Sequence, residues 1–74
     1  MNETQTFLID YLLAELVKLI MLYQKVSLQE AFDILYNSSL YDKIMDVGTG
    51  LYFQSADYNY ELLMDEKTMK DIEK

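Results

Sequence analysis

The sequence predicts an all-α domain of three to four short helices in a small bundle, with the first helix at its centre. The chain contains no proline and only two glycines, so few positions interrupt a helix. Apolar residues recur at helical spacing, and Ser or Thr precedes several of these runs at cap positions. Residues 1–74 are expected to form a single domain, with residues 1–5 and about 67–74 as the segments expected to fray.

The first helix is predicted from about Thr6 to Lys25, with Thr4 or Thr6 as its N-cap. On a helical wheel its apolar arc covers roughly half of the circumference, which is wider than the stripe of about 100° that a surface helix needs. Such a helix either forms the centre of the bundle or is covered by a second chain.

Cap patterns predict where the second and third helices begin. Ser27 and Glu30 form a capping box, in which the serine hydroxyl accepts a free backbone N–H of the first turn. The polar run at residues 37–39 ends this second helix. Ser39 with Asp42 repeats the cap pattern and predicts a third, short helix.

A glycine-containing loop is predicted before the last helix. Residues 46–50 should form a turn in which a glycine adopts a positive φ. Residues 51–54 are predicted to be extended or irregular, and Ser55 to cap the last helix. The charged tail of residues 65–74 either continues that helix or frays.

Charge and residue types exclude several classes of function. Lysine supplies all six cations against 13 Asp and Glu residues, giving a net charge of −7, which disfavours nucleic acid and anionic membranes as partners. The apolar stretch of residues 7–23 is short for a bilayer span and carries three charges, so we expect a soluble cytoplasmic protein. Without His or Cys we expect no enzyme, no cofactor and no disulfide.

Carboxylates are the remaining candidate metal ligands. Asp42 with Asp46, and Asp57 with Glu61, lie four residues apart and would each share a helix face. Ca²⁺ or Mg²⁺ prefers such oxygen ligands. A structural oligomer with a carboxylate metal site is therefore kept as an alternative, although a solvated charged face explains the same pattern.

Tyrosine is unusually frequent, with seven residues, and aromatics cluster around the glycine turn. They either seal the small core or form a docking patch, because tyrosine is enriched at interfaces. The predicted interaction residues combine the wide face of the first helix with this aromatic segment. They are Leu12, Leu16, Leu19, Ile20, Tyr23, Tyr52, Phe53, Tyr58 and Tyr60.

Several segments carry a resemblance to a family. The sequences at 7–12, 27–38, 40–41, 49–55 and 58–63 look like those of small uncharacterised helical proteins of gut bacteria, which share a Thr-Gly-Leu-Tyr-x-Gln-Ser-like segment. Some of these proteins look like partners in toxin–antitoxin-type operons. The resemblance implies a protein-binding role and supplies no catalytic residue.

Function is therefore predicted as a non-enzymatic protein–protein interaction module, with an antitoxin-like or regulatory subunit as one form of it. The expected partner is a second copy, giving a homodimer, or another protein. One alternative is an acidic decoy that occupies a basic nucleic-acid-binding surface by its charge. The structural oligomer with a carboxylate metal site is the other.

Overall fold

The computed structural model describes the backbone of residues 2–73 and the side chains of residues 2–66. This part of the chain contains four α-helices and no strand, so the predicted all-α bundle is confirmed. The helices are α1 (Glu3–Gln24), α2 (Leu28–Tyr36), α3 (Ser39–Met45) and α4 (Ala56–Glu73). Two single 3₁₀ turns, Val47–Thr49 and Leu51–Phe53, connect α3 to α4.

The central element is α1, because α2, α4 and the turn Leu51–Phe53 all pack against it. Its wide apolar face supplies nearly half of the buried core, and the other helices and the turn supply the rest. The buried apolar residues are Ile9, Leu12, Leu16, Val17, Ile20, Ala31, Leu35, Leu40, Ile44, Tyr52 and Leu63. Of the two explanations for the wide arc, a position at the centre of the bundle accounts for these buried residues of α1.

The start of α1 differs from the prediction. Asn2, not Thr4 or Thr6, is the N-cap, and Gln5 completes a capping box with it. The Gln5 backbone N–H donates to Asn2 Oδ1 over 2.8 Å, and the Asn2 N–H donates to Gln5 Oε1 over 3.0 Å. Asparagine caps as well as serine, and the returning glutamine satisfies a second free donor. The helix therefore begins before both threonines.

Serine caps begin α2 and α3. Ser27 caps α2 as predicted, with the Glu30 N–H donating to its Oγ over 3.2 Å. The cap of α3 is Ser38, one residue before the predicted Ser39. Ser38 has the extended backbone of a cap, and its Oγ accepts the Tyr41 N–H over 3.2 Å while donating to the carbonyl of Leu35 over 2.5 Å.

The linker between α3 and α4 is more regular than predicted. Gly50 has a φ of 70°, which confirms the positive φ expected of a glycine in this turn. Residues 51–54 were predicted to be extended or irregular, but Leu51–Phe53 is a 3₁₀ turn, in which the Phe53 N–H donates back to the Gly50 carbonyl over 3.1 Å. Ser55 caps α4 as predicted, accepting the Tyr58 N–H over 3.0 Å.

The two ends of the chain are described in part. Residues 3–5 form the first turn of α1, and the backbone of α4 is helical to Glu73. The side chains of residues 67–73 lie outside the described residues, as do Met1 and Lys74. Within the described residues, none of the helices has both the length and the apolarity needed to cross a bilayer.

Candidate interaction surface

A groove of about 200 Å³ opens between the N-terminal half of α1 and the segment that leads into α4. Both walls are mainly apolar, and each carries an exposed aromatic ring. The groove is lined by Leu8, Tyr11, Leu12 and Glu15 from α1, and by Tyr52, Phe53, Gln54 and Ala56 from the facing segment.

Helical spacing aligns the α1 wall of the groove. Leu8, Leu12 and Glu15 lie three or four residues apart and therefore share one face of the helix. Opposite them, the turn Leu51–Phe53 is fixed to α1 by the buried ring of Tyr52, whose hydroxyl accepts a hydrogen bond from Gln5 Nε2 over 3.2 Å. A buried tyrosine hydroxyl usually needs such a partner.

Asn59 on α4 fixes the same turn from its other side. Its side chain is fully buried, and Nδ2 donates to the carbonyl of Leu51 over 3.2 Å and to that of Ser55 over 3.0 Å. Its Oδ1 has no hydrogen-bond partner among the described residues. These two hydrogen bonds, which we call the Asn59 clamp, tie residues 51–55 to the first turn of α4. The groove wall is therefore held by tertiary contacts and not by the turn alone.

Sequence reasoning missed this role, because it predicted Tyr58 and Tyr60 as interaction residues and assigned no role to Asn59 between them. One signal was present: Asn59 is three residues after Ala56 and four before Leu63, at an inward-facing position of α4. A polar residue at such a position is normally hydrogen-bonded inside the protein.

Two exposed aromatic side chains line the groove, and a third lies one helical turn before Tyr11 on α1; we call Phe7, Tyr11 and Phe53 the aromatic surface. They are 66%, 61% and 70% exposed, respectively. Phe7 and Tyr11 are four residues apart and so are neighbours on α1, while Tyr11 and Phe53 line the groove together. The Phe53 ring also contacts the buried Tyr52 ring, with centroids 4.3 Å apart. Clustered exposed apolar side chains often mark interaction sites.

Only some of the predicted interaction residues lie at this surface. Tyr52, Phe53 and Leu12 line the groove. Leu16 and Ile20, by contrast, are completely buried in the core of a single chain. They cannot form a surface in the folded chain, because their apolar arc is already covered by α2 and α4.

The remaining predicted residues lie elsewhere. Leu19 is partly buried on α1. Tyr23, near the end of α1, is exposed and its ring packs on Tyr60 of α4, with centroids 5.2 Å apart. Tyr58 is exposed on α4 outside the groove. The predicted aromatic segment is thus divided between the groove and this second contact.

Phe7 and Tyr11 were absent from the predicted interaction residues. On the helical wheel Tyr11 lies on the side of Ala14, Glu15 and Lys18, opposite the apolar arc. That placement agrees with its exposure, but it gave no sign that another aromatic ring would lie across from it. The pairing with Phe53 depends on how the turn folds against α1, which helical spacing does not reveal.

The surroundings of the groove are acidic. Residues 2–66 contain eleven Asp and Glu residues and three lysines. One lysine, Lys18, forms an ion pair of 3.3 Å with Glu15 of the groove wall. Asp57, which follows Ala56 in the first turn of α4, is exposed.

The predicted carboxylate pairs do not form a larger ligand cluster. Asp46 ends α3, and its backbone N–H donates to the carbonyl of Asp42 over 3.2 Å. Its Oδ1 accepts the Gly48 N–H over 3.0 Å. Among the described residues there is no group of three or more Asp, Glu, His or Cys side chains that could hold a metal ion.

Fold and surface together define a small acidic helical bundle with an exposed aromatic groove. Comparisons of the chain with protein-family models, with curated proteins and with solved structures find no match.

Proposed function

We propose that the chain is a non-enzymatic protein–protein interaction module that binds its partner through the aromatic surface and the adjoining groove. The observation that carries this proposal is the position of Phe53, which is 70% exposed on a turn fixed by the buried side chains of Tyr52 and Asn59. A rigidly held aromatic ring loses little conformational entropy on binding, which is why such residues often dominate interface energetics.

The size of the groove supports a side chain as its occupant. Its volume of about 200 Å³ is below the range of about 300–1,000 Å³ that is typical of small-molecule sites. A single large apolar side chain from a partner would fit between Tyr11 and Phe53. Substrate binding and turnover would require more enclosed space and additional chemical groups.

In its finer form, the proposal is an antitoxin-like or regulatory subunit that acts in the bacterial cytoplasm. The resemblance to small proteins of gut bacteria, some of them similar to partners in toxin–antitoxin-type operons, supports this form. The partner is a second copy of the chain or another protein. These two alternatives differ in stoichiometry and can be separated directly.

Site-specific photo-crosslinking tests the proposal. Benzoylphenylalanine is placed at Phe53 or, as a matched control, at Tyr58, which is also exposed but lies outside the groove. We expect a discrete adduct from position 53 and none from position 58. The adduct would be a dimer of the purified chain or a single heterologous complex in cells. Equal adducts from both positions, or none from position 53, would contradict the proposal.

Light scattering coupled to size exclusion at two concentrations then identifies the type of partner. A dimer of the untagged chain that is lost in Phe53→Ala indicates a second copy. A monomer at both concentrations, together with a heterologous adduct from position 53, indicates another protein.

An acidic decoy is the second candidate, favoured by the excess of carboxylates over lysines in residues 2–66. Binding by charge alone should weaken steeply with salt, because exposed charges are screened over about 8–10 Å at 0.1–0.15 M. The affinity of such binding should also be unchanged in Phe53→Ala. Salt-insensitive binding that is lost in Phe53→Ala would exclude the decoy and support the aromatic surface.

A further inference from the structure

We infer that the groove binds a cationic amphipathic segment of another protein, which inserts one large apolar side chain between Tyr11 and Phe53. The inference rests on the proposed function and specifies the chemistry of the partner. It follows from the shape of the groove, the charges at its wall and the chemistry of its two exposed rings.

The shape favours a single apolar anchor. Among the lining residues Leu12 is buried, while Tyr11 and Phe53 are mostly exposed. An anchoring side chain would therefore contact an aliphatic inner wall and two aromatic rims. The centres of protein interfaces typically contain a buried anchoring side chain that is surrounded by contacts that exclude water.

The charges at the wall favour a cation on the partner. Glu15 lines the groove, and its side chain is 34% exposed. Glu15 forms an ion pair with Lys18, whose side chain is 72% exposed. Exposed ion pairs of this kind contribute little to stability. A partner cation could therefore replace Lys18 at Glu15 with little loss. Asp57 adds a further negative charge in the first turn of α4, next to Ala56 of the groove wall.

The rings themselves also favour a cation. The faces of aromatic rings attract lysine and especially arginine, which stacks on them. Tyr11 and Phe53 are both more than half exposed, so partner cations that flank the apolar anchor can reach them. The same rings that hold the anchor thus also bind its charged neighbours.

Charge disfavours a second copy as the occupant. Each chain carries a net charge of −7, and a second copy would bring its own Glu15 and Asp57 to the same interface. Like charges brought together across an interface cost several kcal/mol, whereas a cationic segment is attracted by the same carboxylates. An anionic membrane or a nucleic acid would be repelled in the same way.

Two synthetic helical peptides test the inference in the intact protein. They share one leucine face and differ only at the flanking positions, which are Arg and Lys in one peptide and Glu in the other. Fluorescence anisotropy should show that the cationic peptide binds at least about tenfold more tightly than the acidic one. Phe53→Ala should weaken the cationic peptide by about tenfold or more, and the control Tyr58→Ala should leave its affinity unchanged.

The charge contribution is measured with Glu15→Gln, which keeps the size of the side chain. This variant should weaken the cationic peptide by about two- to fivefold, and it should not weaken the acidic peptide, because it removes a like charge from the groove wall. Tyr11→Ala serves as a second rim variant, so that the test does not depend on the folding of Phe53→Ala. The melting temperature of each variant is measured alongside.

The outcomes separate failure of this inference from failure of the proposed function. Equal affinity for the two peptides, combined with sensitivity to Phe53→Ala, would overturn the cationic partner and support the docking surface. If the cationic peptide did not bind, this inference would also be overturned. The proposed surface itself is tested separately by the crosslinks from position 53. Binding that is unchanged in both Phe53→Ala and Tyr11→Ala would contradict both.

Discussion

At two positions the contribution of a single residue to stability can be tested directly by substitution. Lys25, which ends α1, has a left-handed backbone with a φ of 55°, the one positive φ of a non-glycine residue in the described chain. Asn59 is a fully buried polar side chain. Lys25 has a strained backbone conformation, and Asn59 supports the turn Leu51–Phe53 of the candidate site.

Replacing Lys25 with glycine should stabilise the protein. The left-handed conformation costs a residue with a Cβ about 1–2 kcal/mol, and glycine avoids that cost. Lys25→Gly should therefore be more stable than Lys25→Ala by about 1 kcal/mol in urea unfolding. The alanine variant is the matched control, since it removes the same charge but keeps the strain. Equal stability of the two variants would show that the backbone relaxes at this position.

Replacing Asn59 with aspartate should destabilise the protein strongly. The carboxylate cannot donate to the carbonyls of Leu51 and Ser55, and a buried charge without a partner costs about 3 kcal/mol or more. Asn59→Ala should cost about 1 kcal/mol, because each carbonyl retains a backbone donor. Asn37→Asp, at an exposed asparagine, is the control. If the Asn59→Asp and Asn37→Asp variants unfolded at the same urea concentration, the clamp would be unimportant.

Among the elements, α3 depends most on contacts from outside itself. It has seven residues, and a helix of this length is not stable alone in water. Ser38 accepts one of its free N–H groups. The Glu66 carboxylate of α4 accepts two more, from Ser39 over 2.7 Å and from Leu40 over 3.1 Å. A carboxylate at this end also interacts favourably with the helix dipole.

Glu66 should therefore contribute measurably to stability. Glu66→Ala should cost about 1–2 kcal/mol, as loss of a cap does, and Glu66→Gln about 0.5–1 kcal/mol through the lost charge. The deficit of the glutamine variant should shrink in about 1 M NaCl, because salt screens the dipole interaction. Urea unfolding at low and high salt measures both effects. Asp65→Asn, at the exposed neighbour, should be close to neutral, and a cost as large as that of Glu66→Ala would contradict this role.

The same elements show where sequence reasoning succeeds and where it fails. The caps at Ser27 and Ser55 were predicted because cap signals are local. The cap of α1 was misplaced because Asn2 precedes two threonines that are also acceptable caps, and helical periodicity does not choose among them. Ser38 was missed by one residue for the same reason. The turn Leu51–Phe53 was missed because its contacts with Tyr52 and Asn59 come from tertiary packing.

At the scale of the whole molecule, net charge is the dominant property. A chain of −7 repels itself in the folded state, so screening should stabilise it. The melting temperature should rise by a few degrees between about 10 mM and 0.15 M NaCl. CaCl₂ or MgCl₂ at matched ionic strength should raise it no further. A larger rise with calcium would instead support the carboxylate metal site, with Asp57 and Glu61 as the first residues to replace.

The candidate site is formed by segments that are far apart in sequence, so only part of it could be predicted from the sequence. Phe53 and Tyr52 were identified from the aromatic cluster, but Phe7 and Tyr11 are more than forty residues away in sequence. The position of Tyr11 in the same groove as Phe53 follows from the packing of the turn on α1. Leu16 and Ile20 were chosen for the excess apolar arc, yet three elements of the same chain contact α1 and cover that face.

The position of Asn59 and Glu66 on α4 has a consequence for biosynthesis. During translation, α1, α2 and α3 leave the ribosome before either side chain is available, although α3 needs Glu66 and the turn Leu51–Phe53 needs Asn59. Chains synthesised in the N- to C-terminal direction fold as their contacts become available. The groove therefore acquires its final form only after α4 has emerged, and a nascent chain exposes Phe53 before it can hold the ring in place.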